Sequence, residues 1–133
     1  MKLGILTAPF ESTKLMDVAD WAGAAGFQAM EIACWPASGG EARRYAGTSH
    51  IDVDGLTQSE ARDIAGVLAD KGIEVSGLGY YPNPLHKDAG HRDMVIEHLK
   101  KVSKAASLMG VNVVNTFVGG DRSLTLDENW DRA

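Results

Sequence analysis

The chain has 133 residues, of which 44% are hydrophobic and 23% charged, a composition that suits one packed domain and argues against disorder. Its formal net charge of −5 argues against a nucleic-acid backbone or an anionic membrane as the main partner, because both attract basic patches. A single cysteine rules out an internal disulfide, and no apolar run is long enough to cross a bilayer, so we expect a cytoplasmic protein.

The chain begins with an apolar run at residues 2–8, which Pro9 ends. Residues 13–25 then carry apolar side chains at helical spacing. Gly26 follows and can adopt the left-handed conformation that ends many helices. This pattern predicts one strand followed by one helix.

Residues 29–34 predict the second strand. Because side chains alternate along a strand, Met30 and Ile32 share one face and Glu31 lies on the other. In a barrel we expect the bulky pair to face the helices and Glu31 to face inward. Residues 35–56 show no sustained period, and loops of this length are commonly functional.

The second helix has the clearest start signal of the chain. Thr57 and Glu60 have the spacing of a capping box, in which each side chain binds the backbone N–H of the other residue. Gly72 is expected to end this helix. Residues 73–80 predict the third strand, and the two prolines that follow it forbid regular structure.

Residues 88–109 predict a third helix, and residues 111–118 predict a fourth strand that is apolar almost throughout. Thr125 and Glu128 form a second capping-box pattern. Only five residues follow Glu128, too few for a stable helix, so we expect only the start of a fourth helix.

Strands that alternate with helices predict parallel pairing and right-handed crossovers. The predicted strands begin about every 36 residues, so eight of them would need about 290 residues, the size of a (β/α)8 barrel. The predicted fold class is therefore α/β, a partial (β/α)8 TIM barrel with about four parallel strands, three full helices and the start of a fourth. Residues 1–133 would form the N-terminal half of one barrel domain. An open doubly wound sheet is the alternative, although no G-x-G-x-x-G or Walker loop follows any strand.

The segments at the predicted strand ends carry a family resemblance. They read Leu-Thr-Ala-Pro-Phe, Met-Glu-Ile-Ala-Cys-Trp-Pro, Gly-Tyr-Tyr-Pro-Asn-Pro-Leu-His and Val-Val-Asn-Thr-Phe-Val-Gly. Together with the stretch from residue 41 to residue 53, they resemble the sugar phosphate isomerase/epimerase family, whose xylose-isomerase-like barrel is shared with type 2 AP endonucleases. The resemblance covers essentially the whole chain but only the N-terminal half of that family's domain.

This resemblance implies an enzyme that moves a carbonyl or inverts a hydroxyl-bearing carbon on a sugar or sugar phosphate. A divalent metal (Mn, Mg, Co or Zn) would polarise the carbonyl, while carboxylates move the proton. In relatives the metal is usually held by Glu, Asp, His and Glu from the last four strands. The resemblance therefore assigns no catalytic residue and no metal ligand to this half, which we expect to bind no metal and to be inactive alone.

Six residues at or just after the strand ends are candidates for substrate binding: Glu31, Trp35, Tyr80, Asn83, His86 and Asn115. Glu31 is an inward-facing carboxylate, which could bind a substrate hydroxyl or orient a metal ligand. The alternative is a buried acid satisfied by neighbouring donors. Asn115 interrupts a buried strand and faces either the pocket or a structural partner.

His86 ends a rigid proline loop, with Asn83 and Tyr80 as its companions. It is expected to bind the substrate or to act as a peripheral metal ligand, and the alternative is a loop histidine packed on the rim. Trp35 lies at the predicted mouth, where packing is the alternative to stacking on a sugar. His91 and His98 are expected on the surface of the third helix, because no third metal ligand accompanies them.

The long loop after the second strand holds Arg43, Arg44, Tyr45 and His50. They would form either a lid whose arginine meets a substrate phosphate or an ordinary solvated loop.

Two other functions stay open beside a small-molecule sugar or sugar phosphate enzyme. Four parallel strands leave two open edges, so the chain could be a self-associating half-barrel, a homo-oligomer that pairs through those edges. Dehydratase or endonuclease chemistry could also occur on the same scaffold. The negative charge and four scattered histidines argue against the endonuclease.

Overall fold

The computed structural model describes residues 1–37 and 47–133. Its elements, in chain order, are β1 (Gly4–Leu6), α1 (Leu15–Ala24), β2 (Ala29–Ala33), α2 (Gln58–Asp70), β3 (Glu74–Gly79), α3 (Ala89–Met109), β4 (Val114–Asn115) and α4 (Leu126–Arg132). The four strands form one sheet in the order β1-β2-β3-β4, and every neighbouring pair is parallel. The predicted α/β class with four parallel strands is confirmed.

The outer strands are shorter than the sequence predicts. β1 pairs over residues 4–6 rather than 2–8, and β4 over residues 114–115 rather than 111–118. Both lie at a sheet edge with a neighbour on one side only, whereas β2 and β3 are paired on both sides. Apolar sequence can favour a strand, but only a partner strand can extend its ladder of hydrogen bonds.

The predicted helix boundaries follow local chemistry closely. The Thr57 hydroxyl accepts a hydrogen bond from the N–H of Glu60 at 3.3 Å, and the Glu60 carboxylate accepts one from the N–H of Thr57 at 2.9 Å. Left-handed glycines follow the first three helices, with φ of 88° at Gly26, 73° at Gly72 and 72° at Gly110. Each therefore turns the chain into the next strand as predicted.

The fourth helix is more complete than expected, since α4 extends over seven residues. The Thr125–Glu128 capping box starts it, as the sequence predicts. The Asn129 side chain also accepts a hydrogen bond from the N–H of Asp121 at 2.7 Å, and Arg132 pairs with the Asp121 carboxylate at 3.1 Å. These contacts to the preceding loop stabilise a helix too short to persist alone.

The hydrophobic core lies between the sheet and its helices. Met30, Ile32 and Leu78 point into it and are fully buried. Leu68 of α2 and Val95 of α3 are buried in the same core. The predicted orientation of β2 is thus confirmed. Within the described part of the chain, no helix has both the length and the hydrophobicity needed to cross a bilayer.

The opposite side of the sheet, here called the inner face, carries the alternate residues of the same strands, which include Leu6, Glu31, Ala33, Gly77, Gly79 and Asn115. Val113, just before β4, lies beside Gly77 on this face. Leu6 pairs with Glu31, Glu31 with Gly77, and Gly79 with Asn115 in the strand register. A register shift between Met30 and Glu31 keeps the glycines of β3 on this face. No described helix covers it, because the helices pack on the other side.

Candidate functional site

Glu31 is the centre of a polar cluster on the inner face. It lies near the carboxyl end of β2 and is half-buried. One carboxylate oxygen accepts a hydrogen bond from the Tyr81 hydroxyl. The other accepts one from the Asn115 side-chain amide at 2.8 Å. We call Glu31, Tyr81 and Asn115 the Glu31 cluster.

Two glycines of β3 make room for this cluster. A Cβ atom on Gly79 would lie 2.5 Å from Oε1 of Glu31 and 3.0 Å from Cε2 of Tyr81. A Cβ on Gly77 would lie 3.0 Å from Nδ2 of Asn115. Because real side chains do not approach this closely, the Glu31 cluster requires the absence of a side chain on the intervening strand.

The hydrogen bonds of the cluster join one carboxyl acceptor to two neutral donors. Burial raises the pKa of Tyr81 well above its ordinary value, and the hydrogen bond to Glu31 raises it further. Tyr81 therefore keeps its proton and donates it to the carboxylate. Since a carboxylate can accept about four hydrogen bonds, Glu31 retains lone pairs for donors from a ligand.

Trp35 forms the wall behind this cluster rather than an open platform. It is buried, with its ring 5.9 Å from the ring of Tyr81 and 5.8 Å from that of Tyr80, centre to centre. Phe117 packs on the other side of Tyr81 at 4.9 Å. Trp35 and Phe117 thus fix the orientation of Tyr81, the donor to Glu31.

The structure places Tyr80 elsewhere than predicted. Its side chain is 2% exposed and packs against the ring of His98 on α3 at 4.4 Å, which is the helix side of the sheet. Tyr81 occupies the inner face instead and was missed by the sequence interpretation. Alternation could have found it, since Leu78 and Tyr80 share the helix side and the small Gly77 and Gly79 lead to Tyr81 on the other.

Asn83 connects two loops at the rim of the sheet. Its Oδ1 accepts hydrogen bonds from the N–H groups of Leu85 at 2.9 Å and Gly120 at 3.1 Å. Its Nδ2 donates to the carbonyl of Gly120 at 2.8 Å. With its amide engaged in this way, Asn83 ties the loop after β3 to the loop after β4 and supports the cluster indirectly.

His86 stays in the rim loop, where its partners are Asp88 and His91 rather than the Glu31 cluster. Its Nδ1 accepts a hydrogen bond from the N–H of Asp88 at 3.2 Å, and its ring lies 4.5 Å from that of His91. Among the six candidates, therefore, the structure brings together Glu31 and Asn115, with Trp35 supporting them through Tyr81. Their role in substrate binding stays a prediction.

His98 is not the surface residue that the sequence suggested. It is 5% exposed and makes a 2.8 Å hydrogen bond to the backbone carbonyl of Cys34. Burial raises the pKa of the Cys34 thiol to about 12, so this cysteine remains protonated. His98 thus joins α3 to the end of β2, a contact that an isolated helix pattern cannot show.

His50 lies near the carboxyl ends of β1 and β2, where its backbone N–H donates a hydrogen bond to the carbonyl of Ala33 at 3.0 Å, and both nitrogens of its ring also have partners. Its Nδ1 is 2.9 Å from the hydroxyl of Thr7, and its Nε2 is 3.0 Å from the carbonyl of Thr13. Since a carbonyl only accepts, we assign the proton to Nε2. Arg43, Arg44 and Tyr45, the other residues of the proposed lid, lie outside the described residues.

A surface depression of about 440 Å³ lies beside His50 and α2 and includes no member of the Glu31 cluster. Its carboxylates are largely used by the fold, since Glu60 caps α2 and Asp54 pairs with Lys101 at 2.6 Å. The Glu31 cluster, rather than this depression, is the better candidate site.

The metal expected from the resemblance does not fit the described residues. Within residues 1–37 and 47–133, no three His, Cys, Asp or Glu side chains are placed to hold one ion. The expectation that its ligands belong to other strands stays a prediction.

The sequence matches the model of the xylose isomerase-like TIM barrel family over residues 19–133. The chain belongs to this family. The match confirms the family resemblance and, with the four-stranded parallel sheet, the predicted partial barrel. No curated protein matches the sequence significantly.

Solved structures show the same fold at low identity. D-psicose 3-epimerase from Clostridium cellulolyticum H10, solved with D-tagatose, is 17% identical, covers 99% of this chain and 44% of its own, and has a TM-score of 0.67. A D-psicose 3-epimerase solved with D-fructose is 18% identical, covers 87% of this chain and 37% of its own, and has a TM-score of 0.60. The probable 3-DHS dehydratase AsbF from Bacillus anthracis is 18% identical, covers 88% of this chain and 38% of its own, and has a TM-score of 0.58. The chain thus spans about two fifths of the length of these proteins.

Proposed function

We propose that this chain supplies part of the substrate-binding wall of a sugar isomerase or epimerase. In this proposal the Glu31 cluster binds hydroxyl groups of a sugar or sugar phosphate. The observation that carries it is a carboxylate held by two side-chain donors on the inner face of a family barrel, near the carboxyl ends of parallel strands. Barrel enzymes place their substrates at that end.

The chemistry of the cluster suits a polyol. Sugar hydroxyls donate hydrogen bonds, and the Glu31 carboxylate has lone pairs beyond those that Tyr81 and Asn115 occupy. Because these two donors hold both oxygens, the carboxylate is oriented before a substrate arrives, which lowers the entropic cost of binding. Glu31 would therefore bind and orient the substrate, and the proposal gives it no proton to transfer.

The reaction itself requires groups outside the described residues. A divalent metal would supply Lewis acidity at the substrate carbonyl when bound. Since the described side chains form no site for it, we assign the metal, the catalytic acid and the catalytic base to other β/α units. We expect the chain alone to bind a sugar without converting it.

The proposal includes a small-molecule partner rather than a nucleic acid, which the net charge of −5 supports. It also includes a cytoplasmic location. Support for the location comes from the one cysteine of the sequence, which has no partner for an internal disulfide and is buried as a thiol.

An NMR titration with D-fructose and D-tagatose tests this assignment. We expect shifts at Tyr81 and Asn115 with a dissociation constant on the order of millimolar, as suits a few hydrogen bonds to one carboxylate. Glu31→Gln should weaken this binding by at least ~5-fold, because it replaces a charged acceptor by an amide. Glu74→Gln is the matched control, since Glu74 lies at the other end of the same sheet and pairs with Lys2.

Two results would contradict the proposal. Equal weakening by both variants, or shifts confined to the depression beside His50, would show that Glu31 does not bind the sugar. Turnover of either ketose by the pure chain with added Mn²⁺ or Mg²⁺ would show that the catalytic groups are not elsewhere.

A further inference from the structure

The connection between β3 and β4 continues past their backbone hydrogen bonds through a side chain. Among the described residues, the farthest backbone bond along this pair runs from the N–H of Tyr80 to the carbonyl of Asn115 at 3.0 Å. Pro82 and Pro84 follow β3 and lack the N–H that a further bond would need. Asn83 lies between these prolines, and its side chain makes the next connection.

The Asn83 amide binds Gly120 as a neighbouring strand would. Its Oδ1 accepts from the N–H of Gly120 at 3.1 Å, and its Nδ2 donates to the carbonyl of the same residue at 2.8 Å. A side-chain amide carries the same kinds of acceptor and donor as a peptide group, so both backbone groups of Gly120 are paired. The N–H of Leu85 also donates to Oδ1, at 2.9 Å, which fixes the amide within its own loop.

Gly119 allows this close approach because it has no side chain. Its φ of 71° is left-handed, and a Cβ there would lie 2.6 Å from Cγ of Asn83 and closer still to Oδ1. Gly55 has a similar φ of 78°, but nothing lies within 4 Å of the position of its Cβ. Gly119 therefore serves both a backbone conformation and a contact. We call Asn83, Gly119 and Gly120 the Asn83 clamp.

The clamp lies directly beyond the aromatic pair that supports the Glu31 cluster. Tyr81 precedes Asn83 by two residues. Phe117 likewise precedes Gly119 by two. The two rings are 4.9 Å apart, centre to centre, and the Tyr81 hydroxyl donates to the Glu31 carboxylate. Because glycine has the most conformational freedom, the segment after Phe117 needs the clamp to stay in one position.

We propose that Asn83 is a positioning residue for the Glu31 cluster. The clamp holds Phe117 against Tyr81 and thereby keeps the Tyr81 hydroxyl directed at the carboxylate. Asn83 itself makes no contact with the sugar in this proposal. Without the clamp the carboxylate loses a fixed donor and must be oriented during binding, which lowers affinity. This effect on affinity rests on the sugar binding proposed above for Glu31.

NMR spectra of the tyrosine rings test the clamp without a sugar. Neighbouring rings displace the ring signals of Tyr81, so Asn83→Ala should move these signals toward those of free tyrosine. The signals of Tyr80, which packs on the helix side, should stay in place. Asn112→Ala is the matched control, since Asn112 is exposed before the amino end of β4. Unchanged Tyr81 signals, or equal changes at both tyrosines, would overturn the proposal.

Two glycine variants separate the clamp from backbone strain. Gly119→Ala adds a methyl group against the Asn83 amide, whereas Gly55→Ala adds similar strain in open space. Gly119→Ala should therefore reproduce the Tyr81 shifts of Asn83→Ala, and Gly55→Ala should not. Equal shifts in the two glycine variants would mean that strain alone acts, which would also overturn the proposal.

A titration with D-fructose tests the effect on binding. Asn83→Ala and Gly119→Ala should each weaken binding at least ~3-fold, as expected for one or two lost hydrogen bonds. Their double variant should be no weaker than either alone, because both act on one contact. Asn112→Ala and Gly55→Ala should bind as the unchanged chain does.

The two proposals fail in different ways. If the unchanged chain binds D-fructose and the clamp variants bind it equally well, the positioning role is overturned and the sugar site stands. If the unchanged chain binds no sugar, the function proposed for Glu31 fails. The tyrosine signals then still decide whether Asn83 positions Tyr81.

Discussion

The two faces of the same sheet behave as different kinds of surface. On the helix side, Met30, Ile32 and Leu78 are completely buried and pack under the helices. On the inner face, their neighbours in sequence include a carboxylate and two glycines, and Phe117 is 62% exposed, although Ala33 on this face is also buried. Alternate residues of one strand therefore have different roles. One set stabilises this chain, and the other is available to a ligand or to further strands.

The largest expected difference between the two faces is the loss of stability when one apolar side chain on each face is truncated to alanine. Leu78→Ala should lower the free energy of unfolding by about 2–5 kcal/mol, because it leaves a cavity in a closed core. Phe117→Ala should lower it by only about 0.5–1.5 kcal/mol, the contribution of one aromatic pair with Tyr81, since that side chain is 62% exposed. Urea denaturation at low protein concentration measures both. Similar losses would mean that the inner face is as well packed as the core.

A smaller effect is expected where the two faces meet on β3. Gly79→Ala should cost about 1–3 kcal/mol, because the added methyl group would lie within 2.5 Å of the Glu31 carboxylate. Gly66→Ala is the opposite control, since nothing lies near it on α2 and alanine favours a helix by about 0.5–1 kcal/mol.

The double variant identifies the cause. If the clash with the carboxylate is responsible, Gly79→Ala should cost less in a Glu31→Ala background, and the double-mutant cycle should give a coupling on the order of 1 kcal/mol. Strictly additive losses would place the strain elsewhere, for example against the Tyr81 ring.

The sequence predicted those parts of the fold that depend on nearby residues. The capping box at Thr57 and the glycine at Gly110 are local signals, and both mark a helix end in the structure. The ends of β1 and β4 could not be predicted in this way, because they depend on whether a neighbouring strand is present. α4 was underestimated for the same reason, since Asp121 stabilises it from the preceding loop.

The candidate site was predictable where strand alternation alone sufficed. The inward orientation of Glu31 was predicted from the alternation of side chains along β2. Asn115 was predicted as a site residue because it is a polar residue within an apolar run. The expectation that Tyr80 faces the site was wrong. Side chains alternate along β3 through Gly77 and Gly79, so Tyr81 rather than Tyr80 lies on the inner face. His98 could not be placed from sequence, because its partner is the carbonyl of Cys34, which directly follows β2 and is far away in the chain.

The smallest expected effect concerns the edge helix α4 in acid. Hydrogen bonds from Ser123, together with Arg132, lower the pKa of Asp121 to about 2 from an ordinary 3.8. Because the folded pKa is the lower one, the ionised carboxylate stabilises this end above pH 3.8, and the stabilisation is lost as the pH falls through about 2. Amide hydrogen exchange at Asn129 and Trp130 should therefore speed up over that interval, while the core strand β2 stays protected.

Asp121→Asn should flatten part of this acid response, and Asp131→Asn, on the same helix, should leave it unchanged. The part that remains belongs to Glu128, whose pKa the hydrogen bonds from Thr125 also lower. If β2 and α4 lost protection together, the edge helix would be part of one cooperative unit with the helix-side core. The helix-side core and the β4 edge would then not differ in local stability. Separate loss would locate the weakest point of the described structure at the β4 edge of the sheet.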